Sequence, residues 1–134
     1  MRAALIRQSI SLLCSNDINQ ICFPWLTRLN ICILNFIRVS ETTRQVTYLC
    51  SDPNWIENYF YKDFPSVGYF ENHSVVDVDK PVLWNVFAQQ DPIVRDSREM
   101  FNIHSGLTLV RTWDKGRDYF NFGTHSLNMR EQLL

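Results

Sequence analysis

Two hydrophobic runs separated by a short polar segment, ICILNFIRVSETTRQVTYLC at residues 31–50, decide the fold class of this protein. Residues 31–39 are mostly β-branched, aromatic or aliphatic on both alternating sets, which is typical of a strand covered on both faces near the middle of a sheet. Residues 40–44 are predicted to turn the chain, and Val46, Tyr48 and Leu49 continue it in a second extended run. The two runs therefore predict an antiparallel hairpin.

A second hairpin is predicted near the other end of the sequence. Residues 107–113 and 117–123 have strand character, and Asp114, Lys115 and Gly116 between them are typical of a hairpin turn. Two hairpins with helical segments between them cannot form an all-parallel sheet. We therefore predict an α+β protein with an antiparallel sheet and helices packed on it.

Two aspartate-proline pairs mark the beginnings of helices between the hairpins. At Asp52-Pro53 and at Asp91-Pro92, the carboxylate can accept first-turn amide protons, and the proline stands where a missing N–H costs nothing. The first helix is predicted to run to about Lys62. The second is predicted to bury a face comprising Ile93, Val94, Ser97, Met100 and Phe101. Residues 65–80 have no period and are predicted to form a long irregular loop, followed by a short extended segment at 81–86.

A further helix is predicted before the first hairpin. Asn16 or Asp17 can cap it, and Pro24, which lies beyond the first turn, should kink or split it. Its apolar residues recur at helical spacing and form one stripe: Ile18, Ile21, Cys22, Trp25, Leu26 and Leu29. In residues 1–14, serines dilute the apolar stretch and no small-residue cleavage site follows, so we expect a packed helix rather than an export signal.

Length, charge and hydropathy exclude several classes of protein. The 134 residues suit one domain, and the net charge of −1 provides no field that would attract nucleic acid. No apolar run approaches the ~20 residues of a membrane helix, since the longest candidate is interrupted at Asn35. The four cysteines lie among apolar residues without the spacing of zinc ligands, so we expect reduced core thiols and a cytoplasmic location.

The residues that could carry chemistry are scattered along the sequence. His73, His104 and His125 lie in separate loop or edge positions, with no carboxylate or cysteine at helical spacing from any of them. The four glycines form no phosphate-binding loop, and the carboxylates form no recognisable metal site. We expect no catalytic residue, metal or cofactor. A small enzyme would require His104 or His125 to meet an acid and a nucleophile in one cleft.

The supply of aromatic side chains allows two interpretations. Seven of the sixteen residues from Trp55 to Phe70 are aromatic, and Trp55 and Tyr59 lie one turn apart on the same helix face. These rings could simply fill the core of a small domain. Alternatively, Trp55, Tyr59 and Trp84 line a small-molecule pocket, because such pockets combine apolar walls with a few directed polar groups.

Several segments resemble the autoinducer-binding domain of LuxR-type quorum-sensing regulators. The run FNIHSGLTLV at residues 101–110 is similar to the segment that leads into a central strand in that family. The other matching features follow in the family's order and spacing: residues 35–39, Trp55 with Tyr59, Trp84, and the Asp91-Pro92 pair. The similarity extends from about Asp17 to Gly123.

The resemblance implies a PAS- or GAF-like α-β-α sandwich with a central antiparallel sheet. An acyl-homoserine lactone or related signal would lie between the sheet and the helices. By the same resemblance, Trp55 would donate its indole N–H to a ligand carbonyl, Trp84 would close the ring end of the pocket, and Gly106 would allow a sharp entry into the strand. The residues expected to contact the ligand are Phe36, Trp55, Tyr59, Phe60, Trp84, Val94, Ile103 and Asn121.

Two departures from the family pattern shape the functional expectation. The family places an aspartate-proline pair soon after the Trp/Tyr helix to accept the ligand's amide proton, whereas residues 67–70 here are VGYF, without an acid. An unpaired buried amide costs about 1–3 kcal/mol, so an ordinary acyl-homoserine lactone is expected to bind weakly or not at all. The sequence also stops at Leu134 with no helix-turn-helix segment, so residues 1–134 are expected to form a single sensor domain truncated at its C-terminus.

The resulting hypothesis is a non-enzymatic, cytoplasmic sensing domain of a LuxR-type transcriptional regulator. Its expected partners are a small-molecule signal and either a second copy of the chain or a full-length relative, with no direct contact to nucleic acid or membrane. The alternative hypothesis is a structural or dimerisation module that binds no ligand and is the remnant of a truncated regulator.

Overall fold

The computed structural model describes residues 2–72, 81–84 and 91–126. Within these residues the helices are α1 (Arg2–Arg28), α2 (Pro53–Tyr61), a 3₁₀ turn (Phe64–Ser66), α3 (Tyr69–Asn72) and α4 (Pro92–Phe101). The strands are β1 (Ile33–Ser40), β2 (Val46–Cys50), β3 (Val82–Leu83), β4 (Ser105–Trp113) and β5 (Gly116–Thr124).

The described strands form one antiparallel sheet in the order β2-β1-β5-β4-β3. Strands β1 and β2 form the first predicted hairpin, and β4 and β5 form the second. Strand β1 pairs with β5 along its whole length, so the two hairpins join into a continuous sheet. The predicted α+β fold with an antiparallel sheet is therefore confirmed, and β1 has a neighbour on each side, as its hydrophobic pattern predicts.

Both predicted aspartate caps are confirmed. Asp52 Oδ1 accepts hydrogen bonds from the backbone N–H groups of Asn54 (2.9 Å) and Trp55 (3.3 Å). Asp91 Oδ1 accepts from those of Ile93 (2.8 Å) and Val94 (3.1 Å). Each carboxylate thus satisfies first-turn donors that the helix itself leaves unpaired.

Helix α4 is less buried than its pattern predicts. Ser97 is buried, but Ile93, Val94 and Phe101 are only half-buried, and Met100 is exposed. The expectation that Met100 belongs to the buried face is wrong. The helix contacts its neighbours through a narrow stripe centred on Ser97, and Met100 lies at the margin of that stripe.

Helix α1 differs most from the prediction. It begins at Arg2 rather than at Asn16 or Asp17, which are exposed positions within it, and it continues past Pro24 to Arg28. Of the predicted apolar stripe only Leu26 is buried, whereas Ile21 and Trp25 are exposed. At 100° per residue, Ile21 and Trp25 point roughly 115° and 75° away from the mean direction of the buried Ser11, Ser15 and Leu26. Among the α1 residues whose burial is described, the packed side thus consists of two serines and one leucine.

The segment after α2 is more regular than predicted. A 3₁₀ turn and the short helix α3 lie within residues 64–72, so the predicted irregular loop is wrong there. The remainder of that predicted loop, residues 73–80, lies outside the described residues. Strand β3 confirms the predicted extended segment at Val82–Leu83 and pairs with β4.

Helices contact both faces of the sheet. On one face, Ile33, Ile37 and Tyr119 form a hydrophobic cluster with α2, against which Ile93 and Phe101 of α4 pack. On the opposite face, Leu107 packs against Leu26 of α1 and against Ile31, which lies between α1 and β1. This arrangement leaves a concave space on the first face, between the sheet, α2 and α4.

The cysteines are free thiols. Cys50 is buried, and Cys14, Cys22 and Cys32 are half-buried. Burial raises the pKa of the Cys32 thiol to about 11 and that of Cys50 to about 12. Both therefore remain protonated at neutral pH, which fits core positions rather than nucleophiles.

No helix in the described part of the chain combines the length and the hydropathy needed to span a bilayer.

Candidate ligand-binding site

The concave space between the sheet, α2 and α4 contains a cavity. The cavity has a volume of about 60 Å³ and is partly open to solvent. The residues that line it are Ile33, Asn35, Ile37, Trp55, Tyr59, Glu71, Trp84, Asp91, Ile93, Val94, Ser97, Ile103 and Asn121. Apolar and aromatic walls thus surround a few polar groups, which is the composition of small-molecule sites.

Strand β1 forms part of the cavity wall through alternate residues. Ile33, Asn35 and Ile37 face the cavity, because successive side chains of a strand point to opposite faces of the sheet. Phe36 is therefore on the other face, where its ring packs against Phe120 with centroids 5.1 Å apart. The residue predicted from β1 does not line the cavity, whereas its neighbours do.

Helix α2 contributes two stacked rings. Trp55 and Tyr59, one turn apart as predicted, have centroids 5.0 Å apart and both line the cavity. The indole Nε1 of Trp55 donates to Ser97 Oγ at 3.1 Å and so links α2 to α4. In this structure the N–H that the family resemblance assigns to a ligand carbonyl is bonded within the protein.

Phe60 lies away from the cavity lining. Its ring packs edge-on against Tyr48 at 5.3 Å and against Tyr59 at 6.1 Å. Phe60 thus supports Tyr59 from behind. Of the eight residues predicted to contact a ligand, the six that line the cavity are Trp55, Tyr59, Trp84, Val94, Ile103 and Asn121. Their contact with a ligand stays a prediction.

A chain of hydrogen bonds ties Trp84 to the sheet. Its indole Nε1 donates to Thr108 Oγ1 at 3.0 Å, and the Thr108 hydroxyl donates in turn to Asn121 Oδ1. A Cβ added at Gly106 would lie 2.5 Å from the Trp84 ring. None of the glycines has a positive φ. Gly106 therefore allows the close approach of Trp84, and its expected role at the entry into the strand stays a prediction.

An acidic group lies in the cavity after all. The Glu71 carboxylate of α3 accepts hydrogen bonds from the hydroxyls of Tyr48 (2.9 Å) and Tyr59. A Cβ added at Gly68 would lie 2.5 Å from Glu71 Oε1. The carboxylate thus occupies space that a side chain at position 68 would fill. Residues 67–70 contain no acid, but the next residue, Glu71, places one in the cavity.

The cavity carries negative rather than positive charge. Glu71 and Asp91 line it, and none of the described lining residues is a lysine, arginine or histidine. Burial raises the pKa of the Glu71 carboxyl above its usual range, and the charge of Asp91 adds to this effect, although the tyrosine hydrogen bonds oppose it. Burial also raises the pKa of the Tyr59 phenol, as does the neighbouring Glu71 charge, so Tyr59 acts as a hydrogen-bond donor.

Neither His104 nor His125, the two histidines in the described part of the chain, lines the cavity. His104 Nε2 contacts the side chain of Asn102, and His125 Nδ1 lies 2.7 Å from the Asn102 carbonyl oxygen. His73 lies outside the described residues. Among the residues that the structure describes, no three histidine, cysteine or carboxylate side chains are grouped as metal ligands.

Seven lining residues were missed from the sequence. The alternation of β1 could have identified Ile33, Asn35 and Ile37 once Phe36 was known to face the other way. Asp91 and Ser97 were recognised only as a helix cap and a buried position. Glu71 had no sequence signal, because it lies in a segment predicted to be irregular.

The chain has the fold of part of a solved regulator. It matches SdiA in complex with octanoyl-rac-glycerol over 99% of its length, with a TM-score of 0.62 and 15% sequence identity, and covers 60% of that chain. It matches a crystal structure of Escherichia coli SdiA over 98% of its length, with a TM-score of 0.61 and 17% identity, again covering 60%. The chain therefore spans about 60% of the length of these structures.

SdiA is a LuxR-type autoinducer-binding regulator. The fold that the sequence resemblance implies is confirmed by this structural likeness. The sequence itself matches no family model and no curated protein.

Proposed function

We propose that this chain is a non-catalytic sensor domain of the LuxR type, which binds a small amphipathic signal in the cavity beside the sheet. The observation that carries the proposal is the cavity itself, in which apolar walls surround the carboxylate of Glu71. Its position in a fold shared with SdiA, one structure of which contains octanoyl-rac-glycerol, supports the same conclusion. Residues 1–134 would act as one sensing unit within the cytoplasm.

Glu71 is proposed to accept a hydrogen bond from the polar head of the ligand. Its carboxylate is held by Tyr48 and Tyr59, so it is already oriented before a ligand binds. A carboxylate has about four lone-pair sites, and two tyrosine donors leave others available. An amide N–H, as in an acyl-homoserine lactone, would find there the acceptor that residues 67–70 do not supply.

The size of the cavity limits how a ligand can lie. Small-molecule sites measure roughly 300–1,000 Å³, whereas this cavity has about 60 Å³ and is partly open to solvent. A ligand the size of an acyl-homoserine lactone would therefore have to widen the cavity or extend out through its opening. Binding would bury apolar surface of both partners and so stabilise the folded chain.

The alternative proposal, a structural module without ligand, is supported by the bonds within the site. The indole N–H groups of Trp55 and Trp84 are both used internally, by Ser97 and Thr108. Rings held in this way could serve only to fix the helices on the sheet. The two proposals differ in whether a ligand raises the melting temperature.

A thermal-shift titration with N-octanoyl homoserine lactone and with octanoyl-rac-glycerol separates these proposals. Ligand at a hundred times its Kd stabilises a protein by about 2.7 kcal/mol, which raises Tm by several degrees for a domain of this size. The matched variants are Val94→Trp, which fills the cavity from α4, and Met100→Trp, which places the same ring on the exposed side of α4.

The sensor proposal expects a shift in the wild type and in Met100→Trp, and its loss in Val94→Trp. Equal shifts in both variants would place binding outside the cavity. If neither probe shifts the wild type, the structural proposal is the better one.

Self-association is proposed as the route from ligand to signal. Leu13, Ile21 and Trp25 present exposed apolar side chains along α1. Burial of these residues against a second copy, or against the equivalent helix of a full-length relative, would remove apolar surface from water. The chain would then act by modulating a transcriptional regulator without contacting nucleic acid itself.

A further inference from the structure

Asn35 places a polar side chain in the middle of an apolar wall. Asn35 is only 4% exposed. It lies on β1 between Ile33 and Ile37, and all three residues line the cavity. Its carboxamide oxygen, Oδ1, is buried and has no hydrogen-bond partner among the described residues. An acceptor of this kind stands out, because the great majority of buried polar side-chain atoms are paired.

The residue opposite Asn35 is a second asparagine, and its carboxamide oxygen is hydrogen-bonded. Asn121 pairs with Asn35 across β1 and β5 and also lines the cavity. Its Oδ1 accepts the hydroxyl proton of Thr108, which is itself held by Trp84. Two asparagines therefore stand side by side, one whose oxygen is hydrogen-bonded within the protein and one whose buried oxygen has no partner among the described residues.

The charges around the cavity match this arrangement. Glu71 and Asp91 add acceptor oxygens, and the lining contributed by residues 2–72, 81–84 and 91–126 includes no cationic side chain. The N–H groups of Trp55 and Trp84 and the hydroxyl of Tyr59 are already donated to protein acceptors. Within this part of the lining, a ligand that brings an anionic carboxylate would meet carboxyl groups and no compensating cation, whereas a ligand that brings N–H or O–H donors would find acceptors.

We propose that Asn35 determines ligand specificity by accepting a hydrogen bond from a hydroxyl or amide N–H of the ligand, so that the site selects neutral, donor-bearing amphiphiles and rejects fatty acids. This inference rests on the proposed sensor function and adds the chemical class of the ligand. A hydroxyl suits Asn35 particularly, because it can donate to Oδ1 and accept from the amide nitrogen of the same side chain.

Three probes with the same acyl chain test the proposal on the wild-type protein: octanoyl-rac-glycerol, methyl octanoate and octanoate. The first has hydroxyl donors, the second is neutral without a donor, and the third is anionic. Titration followed by tryptophan fluorescence should give the tightest Kd for octanoyl-rac-glycerol. If octanoate binds as tightly as octanoyl-rac-glycerol, the proposed selectivity is overturned. This comparison uses only the wild-type protein, so it does not depend on whether a variant folds.

The Asn35→Leu variant then tests the residue itself. It keeps the shape of the side chain and removes the acceptor, so Kd for octanoyl-rac-glycerol should rise roughly tenfold, the effect of losing about one hydrogen bond. Methyl octanoate should bind equally to both proteins. The matched control is Asn54→Leu, the same change at an exposed position of α2.

A second measurement makes the variant informative without ligand. Because the Oδ1 of Asn35 is unpaired in the protein, its replacement by an apolar group should leave Tm of the ligand-free chain unchanged or raise it. A lowered Tm together with an unchanged Kd would show that Asn35 serves the fold and overturn the inference. If the wild type binds none of the three probes, the proposed sensor function fails, and this inference fails with it.

Discussion

Single residues decide the polarity of the cavity. Glu71 provides an acid that the sequence pattern does not predict, and it can do so because Gly68, three residues earlier, has no side chain. The two positions therefore act together: one leaves space, and the other fills it with a carboxylate that two tyrosines bind. This relation predicts how each residue responds to substitution.

Gly68→Ala is expected to displace the Glu71 carboxylate and lower the free energy of unfolding by about 1 kcal/mol, the net value of a typical hydrogen bond. The added Cβ would otherwise lie 2.5 Å from Oε1 of Glu71. Urea denaturation measures the change. In a Glu71→Ala background the same substitution should be neutral or slightly stabilising, because alanine restricts the unfolded chain more than glycine does. An equal loss in both backgrounds would contradict the proposed relation.

Glu71 also predicts a pH dependence of stability. Its folded-state pKa is raised by burial above the usual value of 4.5. Above pH 4.5 the unfolded chain releases its proton, while the folded chain must keep it or bury a charge, so stability falls as pH rises through the folded pKa. Below pH 4.5, Glu71 is protonated in both the folded and the unfolded chain, and its contribution to stability is at its most favourable.

The measurement is the difference in free energy of unfolding between the wild type and Glu71→Gln from pH 4 to 8. The uncharged glutamine removes this titration and leaves the other carboxylates in place. The free energy of unfolding of the wild type should fall relative to that of Glu71→Gln as pH rises. A flat difference, or one of opposite sign, would show that the tyrosine hydrogen bonds outweigh burial.

At the scale of elements, one hydrogen bond between two helices shapes the cavity. Helices α2 and α4 both begin at aspartate-proline caps, and they meet where Trp55 donates to Ser97. Trp84 is attached in a similar way to β4 through Thr108. The rings therefore stand at the cavity wall in fixed positions instead of collapsing into the space between them.

Ser97→Ala is expected to lower the free energy of unfolding by about 1–3 kcal/mol, because it leaves a buried indole N–H without an acceptor. Trp55 and Ser97 are both buried, so water does not readily replace the lost partner. Chemical denaturation provides the measurement, and Ser66→Ala, at an exposed position, is the control. In a Trp55→Phe background the loss should nearly disappear, and a full loss there would assign the effect to packing alone.

At the scale of the whole molecule, helix α1 has an unusual distribution of residues. Ile21 is 71% exposed and Trp25 is 64% exposed, while the buried side of the helix includes Ser11 and Ser15. Arg28 lies over the Trp25 ring at 5.7 Å and covers part of it. An exposed apolar row of this kind is a common feature of association surfaces.

We expect the chain to self-associate through this row. Ile21→Lys should shift the protein toward monomer in sedimentation experiments at concentrations where the wild type forms dimers, because a buried lysine without a partner opposes association. Asn19→Lys, with the same added charge at an exposed position roughly 120° or more around α1 from Leu13, Ile21 and Trp25, should leave the dimer unchanged. A wild type that is monomeric at all concentrations would exclude this route to a signal.

Local patterns predicted most elements correctly because the physics behind them is local. The hairpins follow from turn residues between extended runs, and the caps at Asp52 and Asp91 follow from carboxylates placed beside the first helical amides. Helix α1 was predicted poorly for the opposite reason. Its spacing identifies an apolar side, but neighbouring elements decide which side is buried.

The sequence by itself determined an antiparallel α+β fold with two hairpins and two capped helices, and it identified Trp55, Tyr59 and Trp84 as rings near one another. Only the tertiary structure decided that Asn35 rather than Phe36 faces the cavity and that Glu71 lies in it. The physical reason is that a strand's alternation assigns residues to two faces without saying which face a helix covers. The space left by Gly68 likewise has meaning only once α2, α3 and β2 are packed together.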